Sequence, residues 1–299
     1  MKNNLIVISI LFTTVFYAQN PFETNPAKAE FITSDIPSFW KAFDQIGANK
    51  DPFRDYIDSG SKGLKDFIPF RIESPKHLLK VVKKRLEDYE SIRENSYQVE
   101  PQTKLIRDFY QKLKNLYDAA VFPPTYFVIG AFNSGGTSSN NGLIIGVEMQ
   151  SNIENVPYIV AHELIHFNQN YSNENPTLLE QSIKEGSADF IGELISGKHI
   201  NETAFNYGNK NEKQLCTEFV KIMNGTNYHG WLYGSKGKLK GRPNDLGYWM
   251  GYKICESYFN KSNNQKDAIR DILNINEFGE FIKSSGYLDK YQSNKTINK

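Results

Sequence analysis

The sequence predicts an α+β fold, with a small mixed sheet followed by a mainly helical lobe. Two segments, Tyr126–Phe132 and Leu143–Met149, are rich in the β-branched and aromatic residues that favour strands. Most of the chain after them repeats apolar residues at a spacing of three or four, which is typical of helices. Strands followed by a series of helices indicate the α+β class.

The remaining elements are assigned in chain order. A short helix is expected over Pro37–Gly47, a long one from Ser74 to about Asn95, and another after Pro101. Glycine, serine and asparagine dominate residues 133–142 between the two strands, which indicates a loop. After the second strand, helices are expected near 155–171, 176–196, 210–223, 245–259, 264–274 and 276–284.

The N-terminus has the features of a secretory signal peptide, assigned to residues 1–18. Lys2 precedes a short apolar run, Leu5–Tyr17, and Ala18 precedes a polar segment, which predicts cleavage after Ala18. An uncleaved membrane anchor or a first core helix is the alternative for the apolar run. The rest of the chain is divided into a mainly helical region, 19–120, and a second domain, 121–299. The mature protein is expected in the periplasm or outside the cell, as a monomer without a transmembrane segment.

Composition excludes one class of partner. The 35 Lys and Arg residues balance 34 Asp and Glu residues, so no general attraction to nucleic acid is expected. Cys216 and Cys255 are too far apart for a CxxC metal site, and they are expected either to form one disulfide or to remain buried thiols. The aromatic residues Trp231, Tyr233 and Trp249 are interpreted as core packing.

The most specific chemical signal is the motif His162-Glu163-Leu-Ile-His166. On a helix, residues four apart lie on the same face, so both imidazoles can reach one metal ion. Glu163 is then beside the ion, where it can take a proton from a water molecule. Zinc in a hydrolase is held by three protein ligands and leaves one position for water, so the motif requires a third ligand elsewhere.

A second predicted helix, Pro176–Ser196, carries Glu180, Glu185 and Asp189 as the candidates that face inward. Glu185 comes nineteen positions after His166, which leaves room for a turn and for a helix returning beside the first. Asp189, one helical turn later, is expected to hold the distal N–H of a ligand histidine. Gly186 and Ala188 are small, and are expected to let these two helices approach closely.

Together, His162-Glu-x-x-His166 and Glu185-x-x-x-Asp189 resemble the gluzincin pattern, in which a glutamate is the third zinc ligand. The resemblance implies a zincin-like fold for the domain 121–299 and one Zn²⁺ per chain. It also implies that His162, His166 and Glu185 bind the metal. The chain lacks the HxxGxxH continuation that distinguishes the metzincins.

The wider string Glu185-Gly-Ser-Ala-Asp-Phe190 resembles a family of exported bacterial proteins, the predicted zinc-dependent proteases, which is related to gliding-motility accessory lipoproteins. The similarity runs from about Tyr126 to Tyr287 and includes Gly247-Tyr-x-x-Gly-Tyr252. The chain has no cysteine near its predicted cleavage site, so the lipid anchor of those lipoproteins is not expected here.

On this interpretation Glu163 is a general base that then acts as a general acid. The tetrahedral intermediate also needs a hydrogen-bond donor. Tyr248 is the first candidate, because a tyrosine follows the third ligand at a comparable distance in the aminopeptidase-type gluzincins that the chain resembles. Tyr252 and His229 are the alternatives.

The second predicted strand immediately precedes the motif helix. Leu143–Glu148 is therefore expected to be an edge strand that pairs with an extended peptide substrate. The loop 133–142 before it is either a flexible flap over the site or an ordinary surface loop.

Three functions fit these features. The first is a zinc peptidase that acts on a peptide or protein substrate. The second is a non-catalytic accessory protein for envelope assembly or gliding motility, in which zinc serves stability. The third is a zinc amidase that acts on a non-peptide bond. Glu163 favours catalysis over a purely structural role, because a structural zinc site does not need a general base.

Overall fold

The structure, a computed structural model, describes residues 21–150, 152–171, 173–234 and 241–292. The expected signal peptide, residues 1–18, lies outside these ranges. Among the residues that are described, no helix combines the length and apolar character needed to cross a membrane.

Within the described ranges the chain forms four strands and fourteen α-helices. The strands are β1 (Phe31–Ile32), β2 (Thr125–Val128), β3 (Gly136–Ser139) and β4 (Gly142–Gly146). The helices are α1 (Asp35–Phe43), α2 (Arg54–Asp58), α3 (Lys62–Phe67), α4 (Pro75–Lys84), α5 (Leu86–Ser96), α6 (Val99–Leu116), α7 (Val156–Asn168), α8 (Leu178–Ser196), α9 (Glu202–Lys210), α10 (Glu212–Ile222), α11 (Leu246–Lys261), α12 (Gln265–Leu273), α13 (Phe278–Ser285) and α14 (Asp289–Gln292). A π-helical turn, Ile68–Ile72, lies between α3 and α4.

The strands form one mixed sheet in the order β1-β2-β4-β3. β1 pairs parallel to β2, β2 pairs parallel to β4, and β3 pairs antiparallel to β4. The predicted α+β class, a small mixed sheet followed by a mainly helical lobe, is confirmed. β1 comes from the predicted N-terminal region and pairs with a strand of the second domain, and the boundary after residue 120 stays a prediction.

The order of the strands corrects two expectations. Residues 133–142 contain strand β3, and the segment expected at the edge, Leu143–Glu148, begins with the central strand β4. All five residues of β4 are buried, as expected of a strand covered on both faces, whereas the Gly-Thr-Ser-Ser residues of β3 are partly exposed. Pairing with β4 makes β3 a strand despite the low β-propensity of glycine, which is why composition alone indicated a loop.

The predicted helices of the second domain are present, with ends shifted by a few residues, and α9 and α14 are additional helices. The composition did not indicate α9, because Gly208 lies within it and glycine has a low helix propensity. That glycine lies under the Trp249 ring, where an added Cβ would be 2.4 Å from a ring carbon. The single helix expected from Ser74 is divided into α4 and α5 at Arg85, whose φ of −131° is not helical. Both cysteines lie among the described residues, and each is a free, buried thiol.

Helix α8 lies between α7 and α11, and glycines permit both contacts. A Cβ added at Gly186 would be 2.1 Å from the Tyr252 amide nitrogen, and one at Gly251 would be 1.7 Å from the Ser182 carbonyl oxygen. Gly186 therefore serves the approach of α8 to α11, and the expectation that it serves the approach to α7 is wrong. Gly192 faces α7 instead, 3.7 Å from the backbone of His162.

One buried carboxylate follows the sheet directly. Glu148 is 2% exposed, its Oε1 accepts the Phe132 N–H at 3.3 Å, and its Oε2 has no hydrogen-bond partner within the described part of the chain. Burial raises the pKa of Glu148 to about 7, although backbone N–H groups partly oppose the shift. The folded protein therefore binds this proton more tightly than the unfolded chain does.

The expected consequence is a stability that falls as pH rises from about 4.5 to about 7, because ionisation of Glu148 is disfavoured in the folded state. At about 1.4 kcal/mol per pH unit, the cost above pH 7 is about 3 kcal/mol. Glu148→Gln should raise the free energy of unfolding by about 1–3 kcal/mol at pH 8 and leave it unchanged at pH 4. Urea unfolding at both pH values tests this, with Glu154→Gln as an exposed control. A variant less stable than the wild type at pH 8 would contradict the prediction.

Candidate metal centre

Two helices bring the predicted ligands together. His162 and His166 lie one turn apart on α7, and Glu185 lies on α8. Helix α8 begins with a capping box in which Thr177 and Glu180 satisfy each other's backbone N–H groups. This fixes where the helix starts, and hence the turn on which Glu185 faces the two histidines.

The three ligand atoms converge on one point. The two Nε2 atoms are 3.0 Å apart, and Glu185 Oε2 lies 3.1 Å from His166 Nε2 and 3.7 Å from His162 Nε2. Bonds of about 2.0–2.1 Å to a tetrahedral zinc place ligand atoms about 3.3 Å from one another. The separations in this protein therefore fit a zinc ion, and these three residues form a buried group able to hold a metal.

The other nitrogen of each imidazole has its own partner. His162 Nδ1 lies 2.8 Å from Asp189 Oδ1, and His166 Nδ1 lies 3.0 Å from Gln169 Oε1. Because both acceptors take an N–H from Nδ1, Nε2 is the nitrogen of each ring that can give up its proton and bind a metal. Asp189 is itself held, since Asn201 Nδ2 donates to its Oδ2 at 2.6 Å.

Asp189→Asn is therefore expected to weaken zinc binding about 10- to 100-fold. An asparagine must satisfy two donors, His162 and Asn201, with a single carbonyl oxygen, so one of the two hydrogen bonds is lost. Competition with a fluorescent chelator measures the dissociation constant. Glu193→Gln is the matched control, because Glu193 lies one turn further along α8 and accepts the Tyr252 hydroxyl at 2.8 Å. Equal weakening by both variants would show that Asp189 has no particular role.

The charges within the group compensate each other. Burial opposes the positive charge of His162, but its hydrogen bonds to Asp189 and Glu185 outweigh burial and hold its pKa well above the ordinary value. Burial likewise opposes the charge of Glu185, but neighbouring His166 and His162 outweigh it and hold the pKa of Glu185 well below the ordinary value. Metal binding to this group releases protons, so the affinity for zinc should fall in acid.

Glu163 follows His162 on α7, and its carboxylate lies against the edge strand β3. A Cβ added at Gly136, the first residue of β3, would be 2.5 Å from Glu163 Oε1, so the strand leaves room for the carboxylate only because it has glycine there. Burial raises the pKa of Glu163, whereas His162 and His166 act against the shift. A carboxyl group with a raised pKa binds a proton more readily, as a general base should.

The three residues considered as hydrogen-bond donors to the tetrahedral intermediate are in different surroundings. The Tyr248 ring stacks on His162 at 6.0 Å between centroids, and burial followed by the charge of Glu185 raises its pKa. The Tyr252 hydroxyl donates to Glu193. His229 is exposed, and its backbone N–H donates to Asn227. Of the three, Tyr248 is the one whose ring contacts a predicted ligand.

Three further side chains contact this group and were not predicted from the sequence. Gln181 and Tyr233 donate to Glu185 Oε1 at 3.0 and 2.7 Å, and Gln169 accepts from His166. Gln181 lies four residues before Glu185 on one helix, and Gln169 three after His166, so helical spacing could have indicated both. Tyr233, interpreted as core packing, is 48% exposed and lies 48 residues beyond Glu185, where no local pattern points to it.

A family model described as predicted Zn-dependent protease (DUF2268) matches residues 128–277, which is half of the chain. The matched range contains all three ligand candidates, Glu163 and Tyr248. No curated protein and no solved structure matches the chain.

Proposed function

The chain belongs to this family of predicted Zn-dependent proteases, and we propose that it is a single-zinc peptidase of the gluzincin type. Its zinc ion would be bound by His162, His166 and Glu185. The observation that carries the proposal is the convergence of three ligand atoms within 3.0–3.7 Å, next to the carboxylate of Glu163, which lies against Gly136 of the edge strand. The signal-peptide features of residues 1–18 support action in the periplasm or outside the cell.

The reaction is hydrolysis of a peptide bond. Zinc, when bound, supplies a Lewis acid that lowers the pKa of water and polarises a carbonyl group. Glu163 accepts the proton of the attacking water and delivers it to the leaving amine. Asp189 and Gln169 hold the two histidines in the required tautomer throughout.

The edge strand β3 is the proposed binding surface for the peptide main chain. Gly146 N–H donates to Gly135 C=O, and hydrogen-bonded pairs alternate along an antiparallel ladder. The next such pair joins Thr137 and Ile144, so the N–H and C=O groups of Gly136 and Ser138 point away from β4. Gly136 lies beside Glu163, and its C=O accepts the Ser134 hydroxyl at 3.2 Å. The Gly136 N–H and the N–H and C=O of Ser138 are suited to pairing with an extended substrate.

Two tyrosine hydroxyls flank Glu185, and we assign them different roles. Burial and the charge of Glu185 keep Tyr248 protonated, so it is the proposed donor to the developing oxyanion. Tyr233 donates to Glu185 and is proposed to orient that ligand. Tyr248→Phe should lower kcat about 100-fold at unchanged zinc affinity, whereas Tyr233→Phe should mainly weaken zinc binding. Kinetics and zinc titration of both variants measure this, and the reverse pattern would exchange the two assignments.

The proposed function is tested on the purified protein by measuring its zinc content and its cleavage of a peptide library, before and after treatment with a chelator. We expect one zinc per chain, and cleavage that is lost on chelation and restored by zinc. Zinc without cleavage would favour the accessory protein or the non-peptide amidase. Absence of zinc under conditions that do not strip the metal would refute the metal site itself.

A further inference from the structure

The π-helical turn Ile68–Ile72 meets the chain that leads into the edge strand. Asn133 Nδ2 donates to the Arg71 carbonyl oxygen at 2.8 Å. Asn133 precedes Gly136, the start of β3, by three residues, and Gly136 lies against Glu163. Arg71 is therefore attached to the segment that leads directly past the proposed general base.

The guanidinium group of Arg71 has no hydrogen-bond or ion-pair partner within the described ranges. Each of the other six arginines uses its side chain: Arg54, Arg85, Arg93, Arg242 and Arg270 bind carboxylates, and Arg107 binds backbone carbonyl groups. Arg71 is nevertheless only partly exposed. An arginine in such a place, without a partner from its own chain, is available to an anion from outside.

The backbone next to Arg71 has an unusual conformation. The π-helical turn ends at Ile72 and is followed by Glu73, whose φ of 65° is unusual for a residue with a side chain and carries a conformational cost. π-Helical turns occur often at functional sites.

The direction of β3 decides which part of a peptide approaches Arg71. The strand runs from Gly136 to Ser139, and a peptide that pairs with it in the commoner antiparallel arrangement runs the opposite way, as β4 does on the other side. Its C-terminal end therefore lies beside Gly136 and continues towards Asn133 and Arg71. Since Glu163 lies beside Gly136, the residues that extend towards Arg71 are those on the C-terminal side of the bond to be cleaved.

We propose that Arg71 binds a carboxylate of the substrate on the C-terminal side of the scissile bond, and so determines substrate specificity. This proposal rests on the proposed peptidase function and names its substrate class, peptides with a negative charge shortly after the cleavage site. The carboxylate is either the C-terminus of a short peptide or an aspartate or glutamate side chain. A guanidinium group can bind both through two parallel N–H···O hydrogen bonds.

The test compares the affinities of peptide pairs for zinc-loaded Glu163→Gln protein, which should bind without cleaving. The pairs derive from a peptide that the wild-type protein cleaves. One pair differs in a free or amidated C-terminus, and the other has Glu or Gln after the cleavage site. Calorimetry should show about 10- to 100-fold tighter binding of the charged peptide in one of the two pairs. A difference in the first pair would identify the C-terminal carboxylate as the group that Arg71 binds, and a difference in the second pair would identify the glutamate side chain.

The double variant with Glu163→Gln and Arg71→Gln should bind the charged and the uncharged peptide of the discriminating pair equally. The double variant with Glu163→Gln and Arg71→Lys should keep a smaller preference for the charged peptide, because lysine keeps the positive charge but lacks the planar guanidinium group. Arg54→Gln removes an exposed positive charge elsewhere and should preserve the full preference. Circular dichroism verifies that each variant is folded. Equal binding of both members of both pairs to the protein with Arg71 intact would overturn the proposal. A wild-type protein that cleaves no peptide would instead refute the peptidase function on which it rests.

Discussion

Glu163→Gln is expected to lower kcat for peptide hydrolysis about 100- to 10,000-fold while the protein keeps one zinc per chain. The neutral amide cannot take a proton from water, but it has nearly the shape of the carboxylate. It can therefore occupy the space that Gly136 leaves beside β3. Because Glu163 contributes no atom to the three-residue metal-ligand group, zinc binding should persist.

Zinc content and kcat of this variant need to be measured on the same preparation. Glu154→Gln is the matched control, since Glu154 precedes α7 and is exposed, so its kcat should stay at the wild-type value. If Glu163→Gln removed zinc and activity together, Glu163 would act on the metal site and not as the base. Wild-type kcat in this variant would require another base.

His166→Ala should weaken zinc binding roughly 100- to 1,000-fold. Structural zinc sites with four ligands bind with about 10–16 kcal/mol, so one ligand accounts for about 3 kcal/mol. Zinc at about a thousand times its dissociation constant should stabilise the wild-type protein by about 4 kcal/mol and raise its Tm by several degrees. The variant should show little of this rise.

Thermal unfolding with and without zinc measures the effect, and the experiment does not depend on any substrate. His229→Ala is the control, because His229 is exposed on the loop before Tyr233 and should leave the zinc-dependent rise unchanged. A full rise in the His166→Ala variant would show that zinc stabilises the protein through some other group.

Local spacing predicted those parts of the candidate site that are close in sequence. His162 and His166 lie on one turn of α7, and Glu185 and Asp189 lie on successive turns of α8. Helical periodicity alone places such pairs on one face. The same rule would have indicated Gln181 and Gln169, whose contacts with Glu185 and His166 are also within a turn.

The edge strand could not be predicted in this way. Residues Gly136–Ser139 have the composition of a loop, and they are a strand because β4 pairs with them. Which strand is at the edge depends on how the parallel strands β1, β2 and β4 assemble, and this is a long-range property. The proposed peptide-binding strand is therefore β3, within the segment predicted as a loop, and not the segment Leu143–Glu148, which was predicted as an edge strand.

Residue type and periodicity along single elements were enough to predict the α+β class, the helices α7 and α8, and the three residues of the group that could hold a metal. Tertiary packing sets three further features: Tyr233 contacts Glu185, Gly136 leaves space for Glu163, and the Arg71 guanidinium group has no hydrogen-bond or ion-pair partner among the described residues. These contacts join residues many positions apart. They exist because packing of α8 against α7 and α11, and of β3 against β4, brings distant segments to one place, and no local pattern encodes that packing.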